Sequence, residues 1–307
     1  SHMTVPKGRF LVVRGGAIGD FILTLPVCAA LRQMFPDAHI ELMGYSAVTQ
    51  LALKGGPVDG VRNIDARPMT GFFFPKGEID GDLSEYFGGF NVVVSYLFDP
   101  DKIFQDNVRR CGDHIQFVQG CHRPSDEDKA HATESLLKAL EILAIFDANP
   151  VPKLNFNVET PEAEAPIAVH PGSGSPEKNW PVKRWVELLR ELGERHRIVL
   201  IVGEADTDTV EELKGELDGP QFEFMEKKSL LEVGVRLQSC RAFIGHDSGI
   251  THLAAAVGLP GICLWGETNK QVWRPRSDRF EVLSGGKGLM GIAVEDVVAR
   301  TKKLMEG

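Results

Sequence analysis

The sequence predicts an α/β protein of two units, each opening with a strand, a glycine-rich turn and a helix. In the first, Arg9-Phe10-Leu11-Val12-Val13-Arg14 is an apolar strand and Gly15-Gly16-Ala17-Ile18-Gly19-Asp20 a tight turn. Phe21 to Phe35 then form an amphipathic helix stopped by Pro36. The same succession begins again at Ile167-Ala168-Val169-His170. It passes through Pro171-Gly172-Ser173-Gly174-Ser175-Pro176 and enters a helix over 182–192, with Pro181 near its first turn. Between the two, residues 147–166 are Pro-rich, acidic and weakly periodic, the composition of a linker. With 307 residues, 43% of them hydrophobic, the chain carries enough apolar material for two cores.

In chain order, further strands of the first unit are read at 39–44, 61–64, 90–96 and 115–118, followed by a long helix from Asp128 to Phe146. Phe72-Phe73-Phe74 lie between Gly71 and Pro75 and are not a helix face. They read as a buried loop anchor, with a lid or a membrane-surface contact as the alternatives. In the second unit a strand at 197–202 leads through Gly203 to the acidic run Glu204 to Asp208 at the head of a helix. Another helix opens after Lys228-Ser229. Phe243-Ile244-Gly245-His246 is a short buried strand that enters an Ala-rich helix through Asp247-Ser248-Gly249, where N-cap residues belong. A strand ending at Trp265, a loop with Thr268 and a last helix over 293–306 complete the chain.

A net charge of −9 argues against a general nucleic-acid binder but leaves room for a local basic pocket. The five cysteines are far apart with no C-x-x-C pair, which suggests a reducing compartment. No His, Cys and acid set has metal-ligand spacing, so no metal is expected. No signal peptide follows Ser1-His2-Met3, which reads as a remnant of cloning. No apolar run is long enough to span a bilayer, and a cytoplasmic protein is expected. The first turn is G-x-x-G, with Arg14 where a dinucleotide fingerprint has its first glycine. A nicotinamide-dependent oxidoreductase is therefore the weaker rival from another class.

Two features carry chemistry. The first amides of a helix have no intrahelical partner and sit at the positive end of its dipole, so the helix start at Asp247-Ser248-Gly249 suits a phosphate. Lys178 in the earlier Gly/Ser turn adds a point charge. Asp20, at the carboxyl end of the first strand, is either an acid favoured by the helix dipole or a general base.

Three stretches, Gly15 to Asp20 with Leu25-Pro26, His170-Pro171-Gly172-Ser173 with Lys178-Asn179-Trp180-Pro181, and Asp247-Ser248-Gly249-Ile250-Thr251-His252-Leu253-Ala254, together resemble the ADP-heptose:lipopolysaccharide heptosyltransferase family, glycosyltransferase family 9. The resemblance implies the GT-B fold, two Rossmann-like domains facing a central cleft. Residues 4–155 would bind the acceptor, 166–292 the nucleotide sugar, and the last helix, 293–306, would pack back on the first domain. It implies inverting transfer of heptose from ADP-L-glycero-β-D-manno-heptose to Kdo or heptose of the inner core, or to a related glycan. By matching position Asp20 falls at the catalytic base and Lys178 at the lysine on the donor's phosphate and sugar. Asp247 matches the acid holding heptose hydroxyls, and Ser248, Gly249 and Ile250 the diphosphate site. His252 matches the motif histidine, Asp208 the ribose acid, and Lys228 the wall beside adenine. Ser173 and Ser175 stay as alternatives for a phosphate contact, because the turn has one more residue than in some members.

Arg62, Arg109 and Arg123, with Gly19 beside the base, are the candidate contacts for an anionic or lipid-linked acceptor. Such an acceptor implies a peripheral contact at the cytoplasmic face of the inner membrane. Amides and Lys178 would meet the charge on ADP, so no cofactor or metal is required. Another nucleotide-sugar enzyme of this fold, an epimerase or hydrolase among them, and a non-catalytic glycan-assembly protein are the other readings.

Overall fold

The computed structural model describes residues 7–159 and 161–307, which leaves Ser1-His2-Met3 outside the described residues. The chain forms two units. The first runs to Pro124 and takes up again over Ala132–Pro150; the second comprises Ser125–His131 and Val151–Gly307. This differs from the expected boundaries at the segment 125–131, which belongs to the second unit although it lies within the first in sequence.

The first unit contains β1 (Arg9–Val13), α1 (Ile18–Met34), β2 (His39–Gly44), α2 (Ser46–Gly55), β3 (Gly60–Asn63), α3 (Gly81–Gly88), β4 (Val92–Ser95), α4 (Ile103–Arg109), β5 (Gln116–Gln119) and α5 (Ala132–Leu137). Its five strands are all parallel, in the order β3-β2-β1-β4-β5. β1, Arg9-Phe10-Leu11-Val12-Val13, and β4, Val92-Val93-Val94-Ser95, are buried almost throughout without exposed alternation, as a parallel sheet covered on both faces requires. On one face Leu11, Val13 and Val93 meet an aromatic cluster of Phe72, Phe87, Phe90, Phe104 and Phe117. Phe72 thus anchors the 3-10 turn Arg67–Phe73, while Phe73 and Phe74 stay exposed.

The long helix expected from Asp128 is much shorter. Only Ala132–Leu137 is α-helical, and it tightens to a 3-10 turn over Lys138–Leu143. Residues 125–131 are held elsewhere, because Asp126 takes the Trp273 indole N–H and the Asn269 amide donates to its carbonyl at 2.7 Å.

The second unit contains β6 (Ile167–Val169), α6 (Val182–Gly193), β7 (Ile198–Ile201), α7 (Thr207–Glu216), β8 (Phe222–Met225), α8 (Leu230–Gln238), β9 (Ala242–His246), α9 (Gly249–Ala256), β10 (Gly261–Trp265), α10 (Lys270–Trp273), β11 (Phe280–Ser284), β12 (Gly286–Leu289) and α11 (Val294–Glu306). The sheet is parallel, in the order β11-β10-β9-β6-β7-β8. α6 buries Trp185, Val186, Leu188, Leu189 and Leu192 at helical spacing.

The last helix corrects a second expectation. Val294, Val297 and Val298, at i, i+3 and i+4, join this unit's core beside α6, so α11 belongs to the second unit and not the first. Its apolar stripe already has a matching surface on α6 and β10. In each sheet the strand order reverses once, between β1 and β4 and between β6 and β9. Such reversals leave a crevice at the carboxyl ends of the two strands, where open α/β sheets bind ligands.

Candidate functional site

At the β1/β4 reversal the chain leaves β1 through Arg14, and Gly16 turns it with φ +94°, a conformation side-chain-bearing residues rarely adopt. Asp20 then sits in the first turn of α1, next to Gly19, where the dipole favours an anion. Arg14 is only 3% exposed. Its Nη2 lies 3.6 Å from Asp20 Oδ1, and its Nη1 donates to the carbonyls of His122 at 2.8 Å and Tyr96 at 3.4 Å. Burial pulls the guanidinium below its ordinary value, and Asp20 works against that shift. The Asp20 side chain remains 38% exposed, open to a ligand proton.

The three acceptor arginines are scattered. Arg62 lies on edge strand β3, stacked 4.1 Å over the Tyr86 ring, and Arg109 ends α4 in solvent. Arg123 is exposed and follows directly on His122, whose carbonyl binds Arg14, so it is the one the fold brings to the Asp20 end of the sheet.

At the β6/β9 reversal two histidines leave the strand ends. His246 Nδ1 lies 3.0 Å from the Gly172 carbonyl, and its Nε2 accepts from the Trp180 amide at 2.8 Å, which stitches the Gly/Ser turn to β9. His170 Nε2 lies 2.9 Å from Asp206 Oδ2, and its Nδ1 is 3.4 Å from Ser248 Oγ. For Asp206, burial works to raise the carboxyl, but His170 and the Gly203 and Gly174 amides outweigh it and hold it below its ordinary value.

In the turn itself Ser173 Oγ is 2.7 Å from the Ser175 carbonyl and 2.6 Å from Asn179 Oδ1. Ser175 Oγ donates to Glu177 at 2.8 Å, so both hydroxyls are engaged internally. Lys178 Nζ reaches Asp247 Oδ2 at 3.5 Å and is otherwise half exposed. Burial raises the Asp247 carboxyl, while Lys178 and Thr268 act to lower it.

Two helix starts in this unit differ in a way that decides between them. α8 is closed by a reciprocal capping box: Ser229 Oγ accepts from the Glu232 amide at 3.1 Å, and Glu232 accepts from the Ser229 amide at 2.8 Å. α9 has Ser248 at its N-cap, but that hydroxyl makes no bond to the helix amides and turns to His170 and Thr251. The first turn of α9, at Gly249 and Ile250 beside the Lys178–Asp247 pair, is therefore the anion-receptive start.

Asp208 is exposed in the first turn of α7 and Lys228 is exposed before α8, both apart from this cluster's hydrogen bonds. His252 is buried within α9, so it supports the helix from inside. Among the described residues no group of three His, Cys, Asp or Glu is placed to hold a metal, and no helix is long and apolar enough to cross a membrane.

Arg14, His170, Asp206 and His246 were not recognised as site residues in the sequence. The available signal was a polar residue closing an apolar strand just before a glycine turn, which Arg14, His170 and His246 share in part. Burial holds His246 and His252 down to about 4, with the backbone bond to Gly172 opposing the shift at His246 and His131 adding to it at His252. Between pH 6.5 and about 4 the unfolded chain binds protons that the folded chain refuses, so stability falls as pH falls through that window. At about 1.4 kcal/mol per pH unit, each histidine contributes on the order of 3 kcal/mol. Urea unfolding from pH 8 to 4.5 should show a plateau above about pH 7 and a steep loss below 6.5. His246→Gln should flatten that loss.

A family model, Glycosyltransferase family 9 (heptosyltransferase), matches residues 132–290. Lipopolysaccharide heptosyltransferase 3 of Escherichia coli is 23% identical, over 94% of this chain and 95% of that one. Among solved structures, the glycosyl transferase family 9 protein from Veillonella parvula superposes with a TM-score of 0.81 at 19% identity, covering 99% of each chain. The E. coli ADP-heptose LPS heptosyltransferase II gives a TM-score of 0.75 at 19% identity, covering 97% of this chain and 98% of that one. These likenesses establish the GT-B fold.

Proposed function

Because the chain belongs to glycosyltransferase family 9, the heptosyltransferases, we propose that it transfers heptose with inversion from ADP-L-glycero-β-D-manno-heptose to Kdo or heptose of the lipopolysaccharide inner core. The observation that carries the donor half is the uncapped start of α9 beside Lys178 and Asp247. The diphosphate would lie on the amides of Gly249 and Ile250 with Ser248 beside them, and Lys178 would meet the charge that develops as the sugar–phosphate bond breaks. Asp247 would accept hydrogen bonds from heptose hydroxyls. Asp20 would take the acceptor hydroxyl proton as attack proceeds, since such a hydroxyl is too weak an acid to ionise first. Fixed amides and a lysine supply the electrostatics, so the proposed mechanism needs no cofactor. Arg123 is the proposed contact for an anionic acceptor, and the exposed Phe73, Phe74 and Phe98 suit a peripheral contact with the membrane that would hold it.

The test is a thermal-shift panel with ADP, UDP, GDP, CMP and NAD, followed by calorimetry. At about 100 times its dissociation constant a ligand adds about 2.7 kcal/mol, which moves the melting temperature visibly. Selective stabilisation by ADP is expected. A preference for UDP or GDP would remove heptose from the proposal, and stabilisation by NAD alone would overturn it.

A further inference from the structure

Asp20 presents its two carboxylate oxygens to different surroundings. Oδ1 faces the buried Arg14 guanidinium at 3.6 Å. Oδ2 has no hydrogen-bond partner among the described residues and lies over the turn, 3.0 Å from where a side chain at Gly16 would begin. Arg14 is held apart from the Asp20 carboxylate, since its Nη1 is bound to the carbonyls of Tyr96 at the end of β4 and His122 after β5, and its Nε donates to the Asp20 main-chain carbonyl at 3.5 Å. One buried cation therefore ties the carboxyl ends of three adjacent strands to the carboxylate.

We propose that Arg14 is the positioning residue of Asp20: it holds Oδ1, so that Oδ2, above the bare backbone of Gly16, is the oxygen that receives the acceptor proton. This rests on Asp20 being the base of the transfer. In that step the acceptor O–H bond breaks with its proton passing to Oδ2. The acceptor oxygen bonds the anomeric carbon, and the electrons of the sugar–phosphate bond leave with ADP. The other titratable groups facing the pair are Tyr96, Cys121 and His122, whose Nδ1 lies 3.3 Å from the Tyr96 carbonyl.

The experiment measures kcat and donor KM of heptosyl transfer in the full chain and, at one fixed pH, the Asp20 carboxyl-carbon NMR signal, assigned with Asp20→Asn. Arg14→Met should displace that signal, whereas Arg14→Lys should leave it near its wild-type position. In the Met variant kcat should fall about 10- to 100-fold with the donor KM within about twofold. Arg14→Lys should recover most of the rate. If Arg14→Met does not melt cooperatively, Arg14→Gln, which can still donate to the Tyr96 and His122 carbonyls, takes its place with the same expectation. A signal that stays put in Arg14→Met, a donor KM that rises as far as kcat falls, or an Arg14→Lys variant as slow as Arg14→Met overturns the proposal. A wild-type chain that transfers no heptose while its Asp20 signal still depends on Arg14 overturns the heptosyltransferase reading and sustains the hold on the carboxylate.

Discussion

Asp20→Ala is expected to lower heptosyl transfer about a thousandfold or more while ADP affinity stays within about twofold. General-base catalysis contributes roughly 10² to 10⁴ in rate, and the acceptor hydroxyl has no other carboxylate in the first turn of α1 to turn to. Donor binding should persist because the anion-receptive helix start, Lys178 and Asp247 all lie in the other unit. Asp20→Asn separates proton transfer from shape, since it keeps the side chain's outline and its hydrogen bonding but cannot act as the base. Both variants should therefore be equally inactive. Each also leaves the Arg14 cation without its counter-charge, so melting temperatures must be recorded alongside the rates. Water already reaches Asp20, and the loss of stability should be modest. Transfer within tenfold of the wild type in either variant would remove Asp20 from the chemistry.

Gly172→Ala should be the most destabilising single methyl in the second unit, at roughly 2–6 kcal/mol, since overpacking a filled site and unpairing a buried hydrogen bond each cost about 1–3 kcal/mol. A β-carbon at this position would overlap the Asp206 carboxylate. That carboxylate has no free space to retreat into: it is buried, 2.9 Å from His170 Nε2, and accepts from the Gly203 amide at 2.8 Å. Moving it would unpair His170, which in turn borders Ser248 at the N-cap of α9, so ADP binding should weaken too. Urea unfolding of Gly172→Ala, Asp206→Ala and the double variant forms a cycle. With the carboxylate gone the added methyl has room, and its cost should largely vanish. A cost below about 1 kcal/mol in the wild-type background, or one unchanged in the double variant, would show that the two residues are not coupled in this way.

What the sequence made legible was local. Strand, glycine turn and helix are adjacent along the chain, so both units and the Asp20 and Asp247-Ser248-Gly249 turns could be read from periodicity and turn chemistry. The family resemblance rested on the same short stretches. What stayed hidden depends on partners far apart in the chain. Arg14 meets His122 across 108 residues, His170 meets Asp206 across 36, and His246 meets Trp180 across 66. Nothing in a window of ten or fifteen residues distinguishes Asp206, buried on His170, from Asp208, exposed two positions later. The last helix was misplaced for a related reason. An apolar stripe shows that a helix will be buried, but not against which surface. Ser173 and Ser175 remain undivided, since the turn employs both hydroxyls.

The segment 125–131 has a consequence for the order in which the molecule matures. Asp126 meets Trp273 across 147 residues, and His131 meets the Arg274 carbonyl across 143. Closing such a span carries a chain-entropy cost that grows only slowly with length, about 0.6 kcal/mol per doubling, but no local contact repays it in advance. During synthesis these seven residues emerge before any strand of the sheet they will join, and they wait while β6 to β10 are made. The first unit can consolidate as it leaves the ribosome, whereas the second is completed only when its earliest-made piece is captured by one of its last-made loops.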